Sequence, residues 1–181
     1  MNTLVIHPDD RSTDFLKPIY EHIKATVITG GVSKRDVLKM IQEHDRTIMM
    51  GHGSPQGLFS IGKFPGSNGY VIDDEIVNAL STTQNNIFIW CNADKFVEKH
   101  KLKGFYSGMF ISEVSEAYYC GLHGTSQEII TESNNAFAKW LGYVINKPLY
   151  ETYYDIVNEY GVLAKTNPVA LYNNSRLYLA E

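Results

Sequence analysis

Thr47-Ile48-Met49-Met50-Gly51-His52-Gly53-Ser54 sets a short apolar run against a histidine held between two glycines. A second stretch repeats the design: Asn86-Ile87-Phe88-Ile89-Trp90 runs directly into Cys91-Asn92-Ala93-Asp94. Apolar runs of this length, closed by turn-forming residues, read as strands buried on both faces, as in a parallel sheet covered by helices.

The flanking sequence supports that reading. Thr3 to Ile6 is a further apolar run, ended by Pro8-Asp9-Asp10. Thr13 to Ile23 carries Phe15, Leu16, Ile19, Tyr20 and Ile23 at helical spacing, with Ser12 or Thr13 as its N-cap and Pro18 interrupting its first turns. Ala25 to Thr29 reads as a strand stopped by Gly30-Gly31. Ser33 and Asp36 form a capping box before a helix that carries Val37, Leu38 and Ile41 on one face. Residues 54 to 71 hold the Gly, Pro and Ser of a hairpin laid over the sheet edge. Asp73 to Leu80 and Asp94 to Lys101 read as helices on either side of the Cys91 strand, and Phe105 to Ile111 as a further strand. Thr125 to Ile145 reads as a long amphipathic helix with a Thr125/Glu128 capping box, Tyr150 to Ala164 as another helix, and Ala170 to Leu179 as a closing strand. Alternating strands and helices predict an α/β fold: a mainly parallel sheet with helices on both faces.

In such a sheet the carboxyl ends of neighbouring strands form the ligand crevice, so His52 and Cys91 are expected to meet there. A thiol facing an imidazole is a nucleophile with its base. The helix after Cys91 would aim its free N–H groups at the strand tip, lowering the thiol pKa and binding an oxyanion. Cys91 is therefore expected to react faster than Cys120, which sits in the apolar Tyr118-Tyr119 segment. His22, His44, His100 and His123 have no matched partner and read as structural or surface residues.

The Gly51-His52-Gly53-Ser54 motif, followed one strand later by Cys91, resembles the caspase-like cysteine peptidases, the group of caspases, metacaspases, clostripain and gingipains. The likeness runs from the first strand to about Ser112; after the cysteine, Asn92, Ala93 and Asp94 replace the small residues and glycine common in that family. It implies a three-layer caspase-like fold over residues 1–181 and hydrolysis of peptide bonds by a His52/Cys91 dyad. Backbone N–H groups near Gly53 and Cys91 would bind the oxyanion, and no metal or organic cofactor is required. It also implies that the tip of the first strand contributes to the pocket for the residue before the scissile bond. There Asp9 and Asp10, joined by Glu113 and Glu116, would select basic side chains, and Arg11 acidic ones; two carboxylates against one guanidinium favour basic substrates. The alternative from another class is a non-catalytic caspase-like module that binds a partner in the same crevice.

A competing motif is His7-Pro8-Asp9-Asp10, which resembles the opening of zinc-dependent sugar N-deacetylases of the LmbE-like group. Arg11 stands where that family carries Glu, and no later histidine pair completes a metal shell.

Composition bounds the rest. The 181 residues, 44% hydrophobic and 20% charged, suffice for one well-buried core and are short for two. A net charge of −4 without a long basic run argues against nucleic acid as a partner. The apolar start is too short for a signal peptide, and no run approaches the ~18 apolar residues of a membrane span. Two cysteines make no disulfide framework, and the expectation is a cytoplasmic protein acting on a peptide or protein substrate.

Overall fold

The computed structural model describes residues 1–83 and 85–181. Nine strands lie among them: β1 (Thr3–Ile6), β2 (Thr26–Ile28), β3 (Arg46–Met50), β4 (Gly53–Ser54), β5 (Gly57–Phe59), β6 (Tyr70–Ile72), β7 (Ile87–Ile89), β8 (Gly104–Ser107) and β9 (Leu177–Ala180). Six of them form the central sheet in the order β2-β1-β3-β7-β8-β9. All neighbours run parallel except β8 and β9, which are antiparallel. The chain thus leaves β1 towards β2 and returns to its other side at β3. This reversal opens a crevice beyond the carboxyl ends of β1 and β3.

Period-2 alternation sorts the strand side chains between two apolar layers. Leu4, Ile6, Met49 and Phe88 face one side, with α1 (Lys34–Gln42), α2 (Val77–Leu80) and α3 (Ala93–His100) packed there through Val37, Ile41, Leu80, Phe96 and Val97. Val5, Ile48, Met50, Ile87, Ile89 and Phe105 face the other. A 3-10 helix over Arg11–Ile19, α5 (Gln127–Val144), α6 (Leu149–Leu163) and α7 (Pro168–Asn174) cover that side through Leu16, Phe137, Leu141, Ile156, Tyr160 and Ala170. The architecture is three-layered α/β.

Several elements differ from the sequence reading. The first helix begins earlier, capped by Asp10, whose side chain accepts from the Ser12 N–H, and it is 3-10 throughout. Pro18 within it denies an α-helical hydrogen bond and crowds the preceding turn. Residues 53–72 build a three-stranded antiparallel sheet, β4-β5-β6, rather than a hairpin at the edge. Its Leu58, Val71 and Ile72 are fully buried among the side chains of the α1–α3 face. Gly53 is required for that packing, because a Cβ there would lie 2.6 Å from the Gly57 carbonyl oxygen and closer still to the Trp90 ring. The strand after Gly104 ends at Ser107, where the Gly108 N–H turns to the Arg176 carbonyl at 2.8 Å. A short helix, α4 (Val114–Tyr119), follows. The N-cap of α5 is Ser126, accepting from the Ile129 N–H, while the Thr125 hydroxyl donates to the Leu122 carbonyl. Residues 168–174 are helical rather than extended. Asn167 caps them by accepting from the N–H groups of Val169 and Ala170, and Pro168 occupies the first turn, where its missing N–H costs nothing.

Candidate active site

The β3–β7 register pairs Met50 with Ile89, so His52 and Cys91 stand two residues past equivalent positions on adjacent parallel strands. Both line one narrow cavity with Gly51, Thr13, Phe15, Leu16, Ile89, Trp90, Phe110 and Ser112. Its volume of about 20 Å³ is room for a single water. Cys91 follows Ile89 onto the face covered by α5, and packs at the margin of that apolar layer. Asn92, in the left-handed conformation at φ 65°, turns the chain from the strand tip into α3. Asparagine is among the few side-chain-bearing residues that enter this region readily.

The two groups are not hydrogen-bonded to each other; each is engaged on its own side. The His52 Nε2 lies 2.6 Å from the Ser12 hydroxyl, which in turn donates to the Asp10 carboxylate at 2.8 Å. The same carboxylate accepts from the Ser12 N–H at 2.9 Å, and these two bonds hold the Asp10 pKa below its ordinary value. The Cys91 thiol donates to the Phe110 carbonyl at 3.2 Å, with Glu116 Oε1 at 3.7 Å. Burial, and then the charge of Glu116, push this thiol from 9.0 up to about 12. The expected activation by the helix N-terminus is therefore reversed in this closed arrangement: desolvation disfavours the thiolate, and the adjacent carboxylate repels it. Cys120 is half-buried, while its neighbours Tyr118 and Tyr119 are 62% and 88% exposed rather than packed.

The segment over the thiol is latched from several directions. The buried Asn173 amide accepts from the Ile111 N–H at 2.7 Å and donates to its carbonyl at 2.8 Å. Glu116 accepts from the Ser112 N–H and hydroxyl and from the Glu113 N–H, at 2.7, 3.0 and 3.1 Å. Asn134 Nδ2 donates to the Ser112 carbonyl at 3.0 Å.

Beside the narrow cavity, and sharing Phe15 and Ser112 with it, lies a wider cleft of about 260 Å³ lined by Arg11, Ser12, Glu113, Gln127, Thr131, Asn134 and Asn135. Glu113 is half-buried on its wall, whereas Asp9 is exposed and Asp10 is occupied with Ser12; neither aspartate lines it. The Asn134 Oδ1 is buried without a hydrogen-bond partner among the described residues. Gly53 sits in β4 against Trp90, where a Cβ would clash with the ring and with the Gly57 carbonyl.

His7 has both ring nitrogens engaged within the protein. It is 2% exposed, with Nδ1 2.9 Å from the Tyr20 hydroxyl and Nε2 3.0 Å from the Thr13 hydroxyl, and Thr13 itself donates to the Asp10 carbonyl. Burial, then the positive charge of Lys17, lower the His7 pKa from 6.5 to about 4, which keeps the ring neutral as a brace between β1 and the 3-10 helix. No group of three or more His, Cys, Asp or Glu side chains placed to hold a metal ion is found among the described residues. No helix among them is long and apolar enough to cross a membrane.

Ser12, Glu116 and Phe110 contact the pair in ways that the sequence reading did not place. Ser12 was legible as a capping residue, and Glu116 was expected in the substrate pocket beside Glu113, whereas it lies against the Cys91 sulfur. No protein-family model and no curated protein matches the chain.

Proposed function

We propose that this protein is a caspase-like cysteine peptidase, with Cys91 as nucleophile and His52 as general base and acid. The supporting observation is the shared cavity: His52 and Cys91 line the same pocket at the carboxyl ends of adjacent parallel strands, beside a cleft wide enough for a side chain. The imidazole would take the thiol proton as sulfur attacks the scissile carbonyl, and return it to the leaving amine. The site is closed here, and opening requires the Phe110–Glu113 segment to release the thiol.

The wider cleft then takes the side chain before the cut. Glu113, half-buried on the cleft wall, is an acceptor that favours a ligand bringing a donor. Arg or Lys fits that need, with Glu113 supplying the charge in place of Asp9 and Asp10. A fluorogenic peptide panel varying only this position tests the assignment: cleavage after Arg or Lys, reduced by Glu113→Gln, supports it. Cleavage after Asp, abolished by Arg11→Ala, reverses it.

The second reading is a non-catalytic binding module, favoured by the raised pKa of Cys91 and its bond to the Phe110 carbonyl. A peptidyl acyloxymethyl ketone separates the two. Stoichiometric labelling of Cys91 that fails in His52→Ala supports the peptidase, and no labelling by any peptide of the panel leaves the module.

A further inference from the structure

The Asp10–Ser12–His52 chain crosses the topological switch point, joining the loop after β1 to the loop after β3. Its protons can be assigned from donor counting alone. The carboxylate of Asp10 is ionised and only accepts, so the single hydroxyl proton of Ser12 goes to Asp10 Oδ1 at 2.8 Å. The Ser12 oxygen is then left with lone pairs towards His52 Nε2, 2.6 Å away. His52 must therefore carry its proton on Nε2. This is the ring's one hydrogen bond among the described residues, so in the neutral imidazole the Nδ1 lone pair stays uncommitted.

We propose that Ser12, anchored by Asp10, is a positioning residue that fixes His52 as the Nε2–H tautomer and presents Nδ1 as the proton acceptor in the cavity shared with Cys91. The inference rests on the peptidase reading for its consequence, because a base needs a free lone pair on the cavity side and a donor bond on the other. Formation of imidazolium during thiol deprotonation adds a second role. The Nε2–H bond to Ser12 then strengthens, because the hydroxyl is polarised by an ionised carboxylate and the donor is charged. The proton balance is simple: the thiol loses its proton to Nδ1, and Nε2 keeps its own.

Ser12 is exposed and Asp10 half-exposed, so both can be changed with little effect on packing. Asp10 also caps the 3-10 helix, and Asn is an equally good cap, so Asp10→Asn removes the charge while keeping an acceptor for Ser12.

The test reads the tautomer directly. Two-bond ¹H–¹⁵N correlations of His52 at about pH 8.5, where an ordinary imidazole is neutral, should show the Nε2–H form alone in the wild type. Ser12→Ala should give a mixture of forms, Ser12→Thr should restore the single form, and the urea midpoint should hold across all three. A wild type on Nδ1–H, or a pattern indifferent to Ser12, overturns the proposal. Peptide hydrolysis is read separately: Ser12→Ala should lower kcat about tenfold or more with KM unchanged, and Asp10→Asn less, within the ~10²–10⁴ that a general base supplies. The expected tautomers with no cleavage of any peptide leave the positioning intact and refute the peptidase reading instead.

Discussion

Replacing Glu116 by Gln should wake the Cys91 thiol. The thiol is raised from 9.0 to about 12, so at neutral pH its ionised fraction is about a thousandfold below that of a free cysteine. Burial is the larger cause and Glu116 the second, with its Oε1 3.7 Å from the sulfur. Two unit charges at that distance repel by about 1 kcal/mol if fully screened by water, which sets a floor of roughly fivefold in thiolate population. Burial is the largest cause and persists in the variant, so removing the carboxylate recovers only part of the three decades. The amide keeps an acceptor oxygen for the Ser112 and Glu113 N–H groups, so the latch on the segment is weakened rather than removed. The assay is iodoacetamide labelling from pH 7 to 10 in a Cys120→Ser background, followed by mass spectrometry. Glu116→Gln should label at least about five times faster than the parent at neutral pH, and still more slowly than a free thiol. Equal rates in the two proteins, or a parent Cys91 that reacts like a free thiol at pH 7, would refute the argument that the carboxylate holds the thiol protonated.

Three further outcomes follow from the packing. His7 has its pKa lowered to about 4 from 6.5, so the unfolded chain takes up the proton first, and stability present above pH 6.5 is lost as pH falls towards 4. The loss amounts to about 3 kcal/mol, and urea titrations between pH 7 and 4 should show a shallower slope for His7→Gln than for the parent; identical slopes would clear His7 of the role. Gly53→Ala should cost about 1–3 kcal/mol in urea unfolding, because the new methyl group meets the Gly57 carbonyl and the Trp90 ring. Tyr160→Phe removes a hydroxyl 2.6 Å from the Ser133 Oγ and 3.4 Å from the Asn173 Nδ2, and should cost about 1–3 kcal/mol by leaving buried polar groups short of a partner. A neutral effect for either variant would contradict the packing described.

The parallel core was legible because its central strands β1, β3 and β7 are short and buried on both faces, a pattern that helices do not share. Met49 and Phe88 face one layer while Ile48, Met50, Ile87 and Ile89 face the other, and the run-on from Met50 to His52 and from Ile89 to Cys91 follows from the same register. Periodicity said nothing about what lies opposite a side chain. Residues 108–113 carry apolar Met109, Phe110 and Ile111, which extended the apparent strand, yet Gly108 turns away to the Arg176 carbonyl and the segment becomes the cover of the site. The Asn167-Pro168 pair was a readable helix start hidden by the apolar residues around it. The charge environment of Cys91 was illegible for a different reason: it depends on Glu116, brought to the sulfur by the turn of the covering segment, and that contact has no signature in local spacing.

The placement of the site ties its chemistry to that cover. At the switch point the loops after β1 and β3 diverge, and the Ser12 bond to His52 closes that side with polar groups. On the other side the Phe110 carbonyl accepts from the Cys91 thiol, so the atom that would attack is the one that holds the segment down. A cavity of about 20 Å³ admits water but not a peptide carbonyl with its flanking residues. If the protein is the peptidase proposed above, entry of a peptide requires displacement of Phe110, and the same displacement would free the thiol from its acceptor, relieve its burial and separate it from Glu116. Burial and the Glu116 charge, which raise the thiol pKa, and the carbonyl bond that holds the thiol in place all act through residues 110–116, so a single movement lowers the pKa and clears the approach to sulfur together. On the proposed peptidase reading, opening and activation become one event, opposed by the Asn173, Asn134 and Glu116 hydrogen bonds that hold the segment.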